Sequence, residues 1–277
     1  MRRRRRRWAI ISGVPTPEME KMDSDLIDAL TQARRSGVQI AQPNPDWRPG
    51  DEDTAYRTML EVAHRLDWAP LGWKIAGSDA RLRQRLRTDG LVFGRTFQRF
   101  LTPSPITLKH GELLDPIVEC EFFFRIGCDL PASRAEHTED RVREVVETVH
   151  VGVEVGECRF ANANLPSPLL LRADGYGSGR YVIGPEVPDW QAMLATPVDV
   201  MLLKNGAPRS RGSSMDVMGH PLRPLVWLAN RLASLGIGLA RGDMISTGSC
   251  TGMVKARPGD QMVARFEGIG DVSISFE

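Results

Sequence analysis

The sequence predicts an α+β domain built on curved mixed sheets and preceded by a helical segment. Apolar residues recur at helical spacing in the first hundred residues, whereas β-rich or alternating stretches dominate from about residue 104. No internal repeat and no clear boundary divides the chain. We therefore expect one domain over residues 21–277, with a mainly helical part at 21–103 and the sheets at 104–277. Its 277 residues are enough to bury a sizeable core.

Three helices are predicted in the helical part. The first runs through DSDLIDALTQARRSG (23–37), where cap candidates precede an apolar stripe and Gly37 provides a stop. A loop over 43–53 separates it from the amphipathic stretch DTAYRTMLEVAHRLDW (53–68). A third, short helix begins at the cap residue Asp79.

The rest of the chain is predicted to consist mostly of strands, interrupted by two helices. One helix is TEDRVREVVETV (138–149), capped by Thr138, and the other is HPLRPLVWLANRLASLG (220–236). Three short strands then follow: DMISTG (243–248), DQMVARF (260–266) and VSISF (272–276). The turn EGIGD joins the last two strands.

Composition and charge narrow the classes of function. The net charge of +1 provides no global field for nucleic acid or acidic membrane, and no apolar run is long enough to span a bilayer, so we expect neither partner. The opening MRRRRRRW predicts a short disordered tail over residues 1–20, with a nucleic-acid or membrane contact as the alternative. The 4 cysteines show no zinc spacing, which is typical of reduced thiols in a cytoplasmic protein.

Two carboxylates interrupt an otherwise apolar strand, PIVECEFFFRI (116–126). Side chains alternate across a strand, so Glu119 and Glu121 share one face while the opposite face is wholly apolar. The two carboxylates would lie about 7 Å apart along the strand, at ~3.3 Å per residue, within reach of one cation. A lone buried carboxylate costs several kcal/mol unless it is paired or bound to a metal.

A second strand, HVGVEVGECRF (150–160), repeats this pattern. Its valines face one way, and Glu154 faces the other between Gly152 and Gly156, which we expect to leave space for a bound ligand. Three carboxylates facing a cavity form an oxygen-only site suited to Mg²⁺ or Mn²⁺. The alternative is a solvated face on which Glu119 and Glu121 pair with Arg125 or other bases.

Four segments in this order resemble one known family. PIVECEFFFRIGCDLP is similar to the P-x-x-E-x-E strand of the fumarylacetoacetate hydrolase superfamily, in its 2-keto-4-pentenoate hydratase / 4-oxalocrotonate decarboxylase branch. GWKIAGSD resembles the G-x-K-V/I-G-x-T segment of that branch, and GVEVGECRF resembles its E-V/I-x-x-S-R strand. The last third, from SRGSSMDVMGHP to VSISF, is similar nearly throughout. The resemblance extends over roughly residues 25–277.

The resemblance implies a mixed β-roll with a small N-terminal helical segment, and it implies a set of site residues. The three metal-binding glutamates of the family fall on Glu119, Glu121 and Glu154, and its active-site lysine falls on Lys74. Candidate substrate contacts are Ser78 at the threonine position of the lysine segment, Asp174, and Thr247 in the glycine-rich TGSCTGM. Lys74 would either shuttle a proton or hold a carboxylate as a fixed cation.

The resemblance also implies a function, which is metal-dependent lyase chemistry on a 2-oxo acid from aromatic-compound catabolism. The first expectation is a hydratase that adds water to a 2-hydroxy-dienoate, such as 2-keto-4-pentenoate in its enol form. The alternatives are a decarboxylase of a 4-oxalocrotonate-like oxo-diacid and a catalytically altered metal-binding partner subunit. Members are homo-oligomers, and a complex with a related pathway enzyme is a further expectation.

Several positions depart from the pattern of the branch. Val92 stands where an acid is usual in P-D-F-G, and Asp89 is the nearby candidate to replace it. Gly175 and Gly177 stand where Asn and Ser are usual, with Ser178 one position away. We therefore expect an intact metal site with an altered pocket, and we favour an active enzyme over a subunit that has lost catalysis.

Overall fold

The computed structural model describes residues 17–161 and 166–277. The helices are α1 (Pro17–Ser36), α2 (Glu52–Leu66), α3 (Ala80–Leu86), α4 (Glu139–Val145), α5 (Pro168–Ala173), α6 (Trp190–Met193) and α7 (Leu222–Ser234). The strands are β1 (Pro70–Ala76), β2 (Val92–Phe97), β3 (Leu101–Pro103), β4 (Ile106–Leu108), β5 (Ile117–Ile126), β6 (Val146–Gly156), β7 (Arg180–Glu186), β8 (Asp199–Lys204), β9 (Ala207–Ser213), β10 (Met244–Ser246), β11 (Val254–Lys255), β12 (Gln261–Phe266) and β13 (Gly270–Phe276).

The strands form two mixed sheets. The larger has the order β2-β1-β10-β5-β6-β7-β3, with β11 also paired to β5, and the smaller has the order β4-β13-β12-β8-β9. The pairs β1/β10, β3/β7 and β4/β13 are parallel and the other pairs are antiparallel. The predicted α+β class with curved mixed sheets is confirmed.

The main core lies between the two sheets. The apolar faces of β5 and β6 pack there, and the ring of Phe122 on β5 meets that of Phe266 on β12 at 5.4 Å between centroids. The residues that β5 and β6 contribute are Val118, Cys120, Phe122, Phe124, Ile126, Val149, Val151, Val153 and Val155. This is the face that the alternation predicted to be buried.

A helical layer packs on the opposite face of the large sheet, at its β1 and β2 edge. The second apolar cluster joins side chains of α1, α2 and α5 to Ala76 of β1 and Val92 of β2. By strand alternation, Ala76 shares its face with Lys74, so these helices lie over the face that carries the lysine. The helix α2 begins with Asp51 as its cap, and this carboxylate accepts the N–H of Thr54 at 2.7 Å.

Three sequence-based boundaries differ in the structure. Strands β1, β2 and β3 lie inside 21–103 beside the helices α1, α2 and α3, and all three strands belong to the large sheet. The predicted helix 138–149 ends at Val145, because the following β-branched residues pair with β5 and form β6. The first helix begins at Pro17, before the predicted start at Asp23. The predicted tail at 1–20 lies, as far as residue 16, outside the described residues.

Other predicted elements are present where the sequence placed them. Asp79 caps α3 and Thr138 caps α4, each through its side-chain oxygen. The strands predicted at 243–248, 260–266 and 272–276 correspond to β10, β12 and β13. Within the described residues, no helix is both long enough and apolar enough to cross a membrane.

Candidate metal centre

Three glutamates converge on the face of the large sheet that lies under the helices. Glu119 on β5 stands directly opposite Glu154 on β6, and Glu121 lies two residues further along β5. Each offers one carboxylate oxygen, and the three oxygens lie within 4.8 Å of one another. Glu119 is 8% exposed, Glu121 is 1% exposed and Glu154 is 0% exposed, so the alternative of a solvated face is wrong. Arg125 pairs instead with Glu147 at 3.1 Å.

The glycines beside Glu154 do not both leave space. A Cβ on Gly152 would lie 2.4 Å from the ring of Phe123, so this ring already fills the volume that the sequence assigned to a ligand. At Gly156 the nearest atom to such a Cβ is the carbonyl oxygen of Gly177, at 3.6 Å. The expectation of open volume on both sides is therefore wrong for Gly152, because a neighbouring aromatic side chain packs across its backbone.

One lysine provides the positive charge beside these carboxylates. The Nζ of Lys74 lies 3.4 Å from Glu154 Oε1 and donates a hydrogen bond to the carbonyl oxygen of Tyr176 at 2.7 Å. Lys74 is only 2% exposed, which reverses the surface position usual for a lysine. An ammonium group has three N–H donors, and two of those of Lys74 have partners among residues 17–161 and 166–277.

Burial acts against ionisation of Glu121 and Glu154. The pKa of Glu121 lies well above its ordinary value because of burial and the nearby charges of Glu154 and Glu119, against which Lys74 and the N–H of Gly248 act. Burial also raises the pKa of Glu154, although Lys74 and a hydrogen bond from Tyr181 oppose the shift. A cation bound among the three groups would relieve both effects.

Two donors to the glutamates were not found from the sequence. The hydroxyl of Tyr181 donates to Glu154 Oε1 at 3.1 Å, and the backbone N–H of Gly248 donates to Glu121 Oε2 at 3.1 Å. Tyr181 reaches Glu154 because β7 pairs with β6 so that the two residues are opposite. Strand pairing is a tertiary feature, and the stretch RYVIG (180–184) indicates only a strand. Backbone donors carry no signal in residue type.

The predicted substrate contacts Ser78 and Thr247 lie next to this cluster. Ser78 is buried, and its hydroxyl has no hydrogen-bond partner in the described structure. It adjoins Gly248, on which a Cβ would lie 3.0 Å from the Ser78 oxygen. The hydroxyl of Thr247 donates to the carbonyl oxygen of Phe122 at 3.1 Å, so its donor is already used. Contact of either residue with substrate stays a prediction.

Asp174 is held by two arginines, and its contact with substrate stays a prediction. Its Oδ1 accepts from Arg159 Nε at 2.8 Å and from Arg34 Nη2 at 3.3 Å, and its Oδ2 accepts the backbone N–H of Arg159 at 3.0 Å. Both oxygens are therefore used within the protein. We interpret Asp174 as the anchor of the turn 174–178, which presents the carbonyl oxygen of Tyr176 to Lys74.

The altered position Val92 and its candidate replacement Asp89 differ in burial. Val92 is fully buried in the apolar cluster under α2 and α5, so no acid stands there. Asp89 is exposed in the loop after α3, and it does not replace that acid. The part of the site that lies under the helices is thus more apolar than the pattern of the branch implies.

The donor set fits a hard divalent cation. Carboxylate oxygens within 4.8 Å of one another suit an ion whose oxygen ligands lie about 2.0–2.6 Å away. Glu154 Oε2 is buried and has no hydrogen-bond partner in the described structure, as expected of an oxygen that faces a cation. The assignment of these residues as ligands stays a prediction.

Comparisons with known proteins place this chain among related sequences. The sequence pattern described as fumarylacetoacetate (FAA) hydrolase C-terminal matches residues 82–276. The chain is 29% identical to a 2-keto-4-pentenoate hydratase of Paraburkholderia xenovorans (strain LB400), over 95% of this chain and 96% of that protein. It is 30% identical to a 4-oxalocrotonate decarboxylase of Pseudomonas putida, over 91% and 95%.

A solved structure shows the same fold over nearly the whole chain. It is 4-oxalocrotonate decarboxylase from Pseudomonas putida G7, complexed with magnesium and adipate. The two align with a TM-score of 0.85 at 25% identity, covering 95% of this chain and 99% of the other. With 195 matched residues in the family pattern and these relatives along its length, this chain belongs to the fumarylacetoacetate hydrolase family.

Proposed function

We propose that this protein is a Mg²⁺- or Mn²⁺-dependent lyase of 2-oxo acids, and that its main reaction is the addition of water to a 2-hydroxy-dienoate. The observation that carries the proposal is the buried cluster of Glu119, Glu121 and Glu154 beside Lys74. Relatives named as hydratases and as a decarboxylase, and a related structure with magnesium, support it.

Glu119, Glu121 and Glu154 would hold the ion, and all three are buried from bulk water. When bound, the ion supplies a Lewis acid that stabilises negative charge on the keto and carboxylate oxygens of a 2-oxo acid. Tyr181 and Lys74 both engage Glu154 Oε1 and so orient that carboxylate.

Lys74 and Ser78 are the groups of this chain that would act on the substrate. The third N–H of Lys74 would bind a substrate carboxylate or move a proton to or from the carbon chain. The buried hydroxyl of Ser78, which lacks a partner in the described structure, would hydrogen-bond a substrate oxygen. Neither role needs an acid at position 92.

Decarboxylation of an oxo-diacid is the second candidate. It is favoured by the 30% identity to a decarboxylase and by Val92, which replaces an acid in the pocket with an apolar side chain. Loss of CO₂ needs stabilisation of the enolate, whereas hydration also needs activation of a water molecule. A catalytically altered partner subunit is the third outcome, and the same assay identifies it.

The absorbance of a dienoate, followed with and without Mg²⁺ together with CO₂ release, tests these candidates. Loss of absorbance without CO₂ supports hydration, and loss with CO₂ from the oxo-diacid supports decarboxylation. No metal-dependent change with either compound supports the subunit. Glu121→Gln should abolish metal-stimulated turnover, and metal-stimulated turnover retained in this variant contradicts the proposal. The control is Glu147→Gln on β6, half-exposed and paired with Arg125.

We also propose a homo-oligomer that works in the cytoplasm on products of aromatic-ring breakdown. The cysteines of the described part are unpaired thiols, as expected of a reducing compartment. Light scattering of the purified chain measures the number of subunits, and co-purification with a neighbouring pathway enzyme tests a mixed complex.

A further inference from the structure

A basic pocket lies on the smaller sheet, away from the glutamate cluster. It has a volume of about 350 Å³ and is lined by Lys204, Ala207, Pro208, Arg209, Lys255 and Arg257. Four of these six side chains are cationic. This size is in the range of small-molecule sites and is too small for a protein segment of any length.

The walls of this pocket are held by a buried carboxylate. Asp260 Oδ2 accepts from Lys204 Nζ and from the backbone N–H of Arg257, both at 2.6 Å, and its Oδ1 accepts from Asn205 Nδ2 at 3.1 Å. Burial opposes ionisation of Asp260, but these hydrogen bonds outweigh it and keep its pKa below the ordinary value. Asp260 thus ties the turn between β8 and β9 to the loop before β12.

The turn itself is fixed by backbone geometry. Asn205 and Gly206 both have positive φ, at +52° and +79°, as a tight turn between two antiparallel strands requires. The backbone N–H of Asn205 also donates to the carbonyl oxygen of Gln261 at 2.7 Å. In return, the side-chain oxygen of Asn205 accepts the backbone N–H of Gln261 at 2.8 Å. The pocket is therefore preorganised before any ligand binds.

The charges in the pocket are only partly balanced. Lys204 pairs with Asp260, and Lys255 pairs with Asp115 at 3.4 Å. Arg209 and Arg257 are exposed and form no ion pair with any residue in 17–161 or 166–277. Both guanidinium groups line one pocket, and a planar guanidinium is the cationic group best suited to bind an oxyanion.

We propose that this pocket binds a small anion with two negative charges, carried by phosphate or carboxylate groups. Arg209 and Arg257 provide the hydrogen-bond donors, and Lys204 and Lys255 add positive charge. Phosphate-bearing and dicarboxylic ligands share this chemistry, and the two probes below distinguish them. The inference does not depend on the reaction at the glutamate cluster.

Calorimetric titration of the full-length, Mg²⁺-loaded protein with inorganic phosphate and, separately, with succinate tests the proposal. At least one probe should bind, and Arg209→Gln/Arg257→Gln should weaken this binding at least tenfold. Arg211→Gln removes the same charge from the same strand outside the pocket and should bind as the unmodified protein does. Preference for phosphate or for succinate identifies the class of ligand.

Two results overturn the proposal. One is that neither probe binds at millimolar concentration. This result is also expected if a second copy of the chain covers the pocket, and it overturns the proposal in that case too. The other is equal binding by the double variant and the unmodified protein, which would locate the anion elsewhere. Both variants remove exposed side chains. Melting temperatures equal to that of the unmodified protein, measured without anion, confirm that the variants are folded. If the double variant does not fold, the single variant Arg257→Gln takes its place.

Discussion

The two oxygens of Glu154 have different surroundings, and single neighbouring side chains produce the difference. Oε1 receives the Tyr181 hydroxyl and lies beside Lys74, whereas Oε2 has no partner in the described structure. Ser178 in turn contacts the Tyr181 hydroxyl at 3.1 Å. This arrangement orients Glu154 before any ion binds, which is the usual role of groups that hydrogen-bond a metal ligand.

Tyr181→Phe should therefore weaken Mn²⁺ binding about 10–100-fold, because Glu154 loses a donor that fixes its orientation. Titration calorimetry with Mn²⁺ measures the change. The control is Tyr56→Phe, which removes a buried phenol hydroxyl from the ring stacked on Phe93, away from the glutamates. Equal Mn²⁺ affinity in Tyr181→Phe and the unmodified protein would contradict this role.

Gly152 is the position at which one missing methyl group decides the packing of the site. Gly152→Ala should lower the free energy of unfolding by about 1–3 kcal/mol, because its Cβ would meet the ring of Phe123. Urea unfolding measures this. The control is Gly90→Ala, where no atom lies within 4 Å of the added Cβ. Similar stabilities of the two variants would show that the ring moves aside without cost.

The register of β5 against β6 places the glutamates, and this register belongs to the strands as units. A slip of β5 by one residue would move Glu119 and Glu121 to the apolar face, and a slip of β6 would do the same to Glu154. Burial of that apolar face therefore fixes the position of the acidic one. Helices α2 and α5 pack on the same face of the sheet at β1 and β2.

The N-terminal cap of α2, Asp51, allows the contribution of this helix end to the free energy of unfolding to be measured. Asp51→Ala should lower the free energy of unfolding by about 1 kcal/mol near neutral pH, because Thr54 N–H loses its acceptor. The hydrogen bond from Thr54 lowers the pKa of Asp51 from 3.8. The stabilisation is therefore present above pH 3.8 and is lost as the pH falls below it.

Urea unfolding of Asp51→Ala and the unmodified protein at pH 7 and near pH 3 measures this difference. Asp46→Ala, an exposed aspartate in the preceding loop, is the control and should have little effect at either pH. A difference for Asp51→Ala that is equally large at both pH values would show that its charge is not the cause.

The assembled chain brings together a buried acidic centre from distant segments of the large sheet. The glutamates lie on the antiparallel neighbours β5 and β6. Lys74 lies on β1, Tyr181 lies on β7, and Gly248 lies in the loop after β10. A ligand that binds this centre binds only the folded chain, so it stabilises the molecule as a whole.

Mn²⁺ should accordingly raise the melting temperature of the full chain. At a free concentration of 100 times Kd the gain is about 2.7 kcal/mol, which corresponds to roughly 5–10 °C for a protein of this size. Differential scanning calorimetry with Mn²⁺ and after its removal measures the shift. Glu121→Gln should show little shift, and an equal melting temperature with and without Mn²⁺ in the unmodified protein would contradict the metal centre.

Local patterns predicted much of this fold. Caps at Asp79 and Thr138 and the alternation in 116–126 depend on neighbours in sequence, and the structure contains all three. The end of α4 was wrong because pairing with β5 competes with helical spacing at Val146. β1 and β2 were missed because their residues are buried on both faces, where neither period is visible.

Periodicity alone indicated that Glu119, Glu121 and Glu154 stand opposite an apolar face, and the family motifs named Lys74, because both signals depend on residue type and local spacing. The tertiary structure decided that these carboxylates are buried together, that Phe123 fills the space at Gly152, and that Tyr181 and Gly248 donate to them. It also turned Asp174 toward two arginines. The physical reason is that burial and hydrogen-bond partners depend on strand pairing between distant segments, which no local pattern specifies.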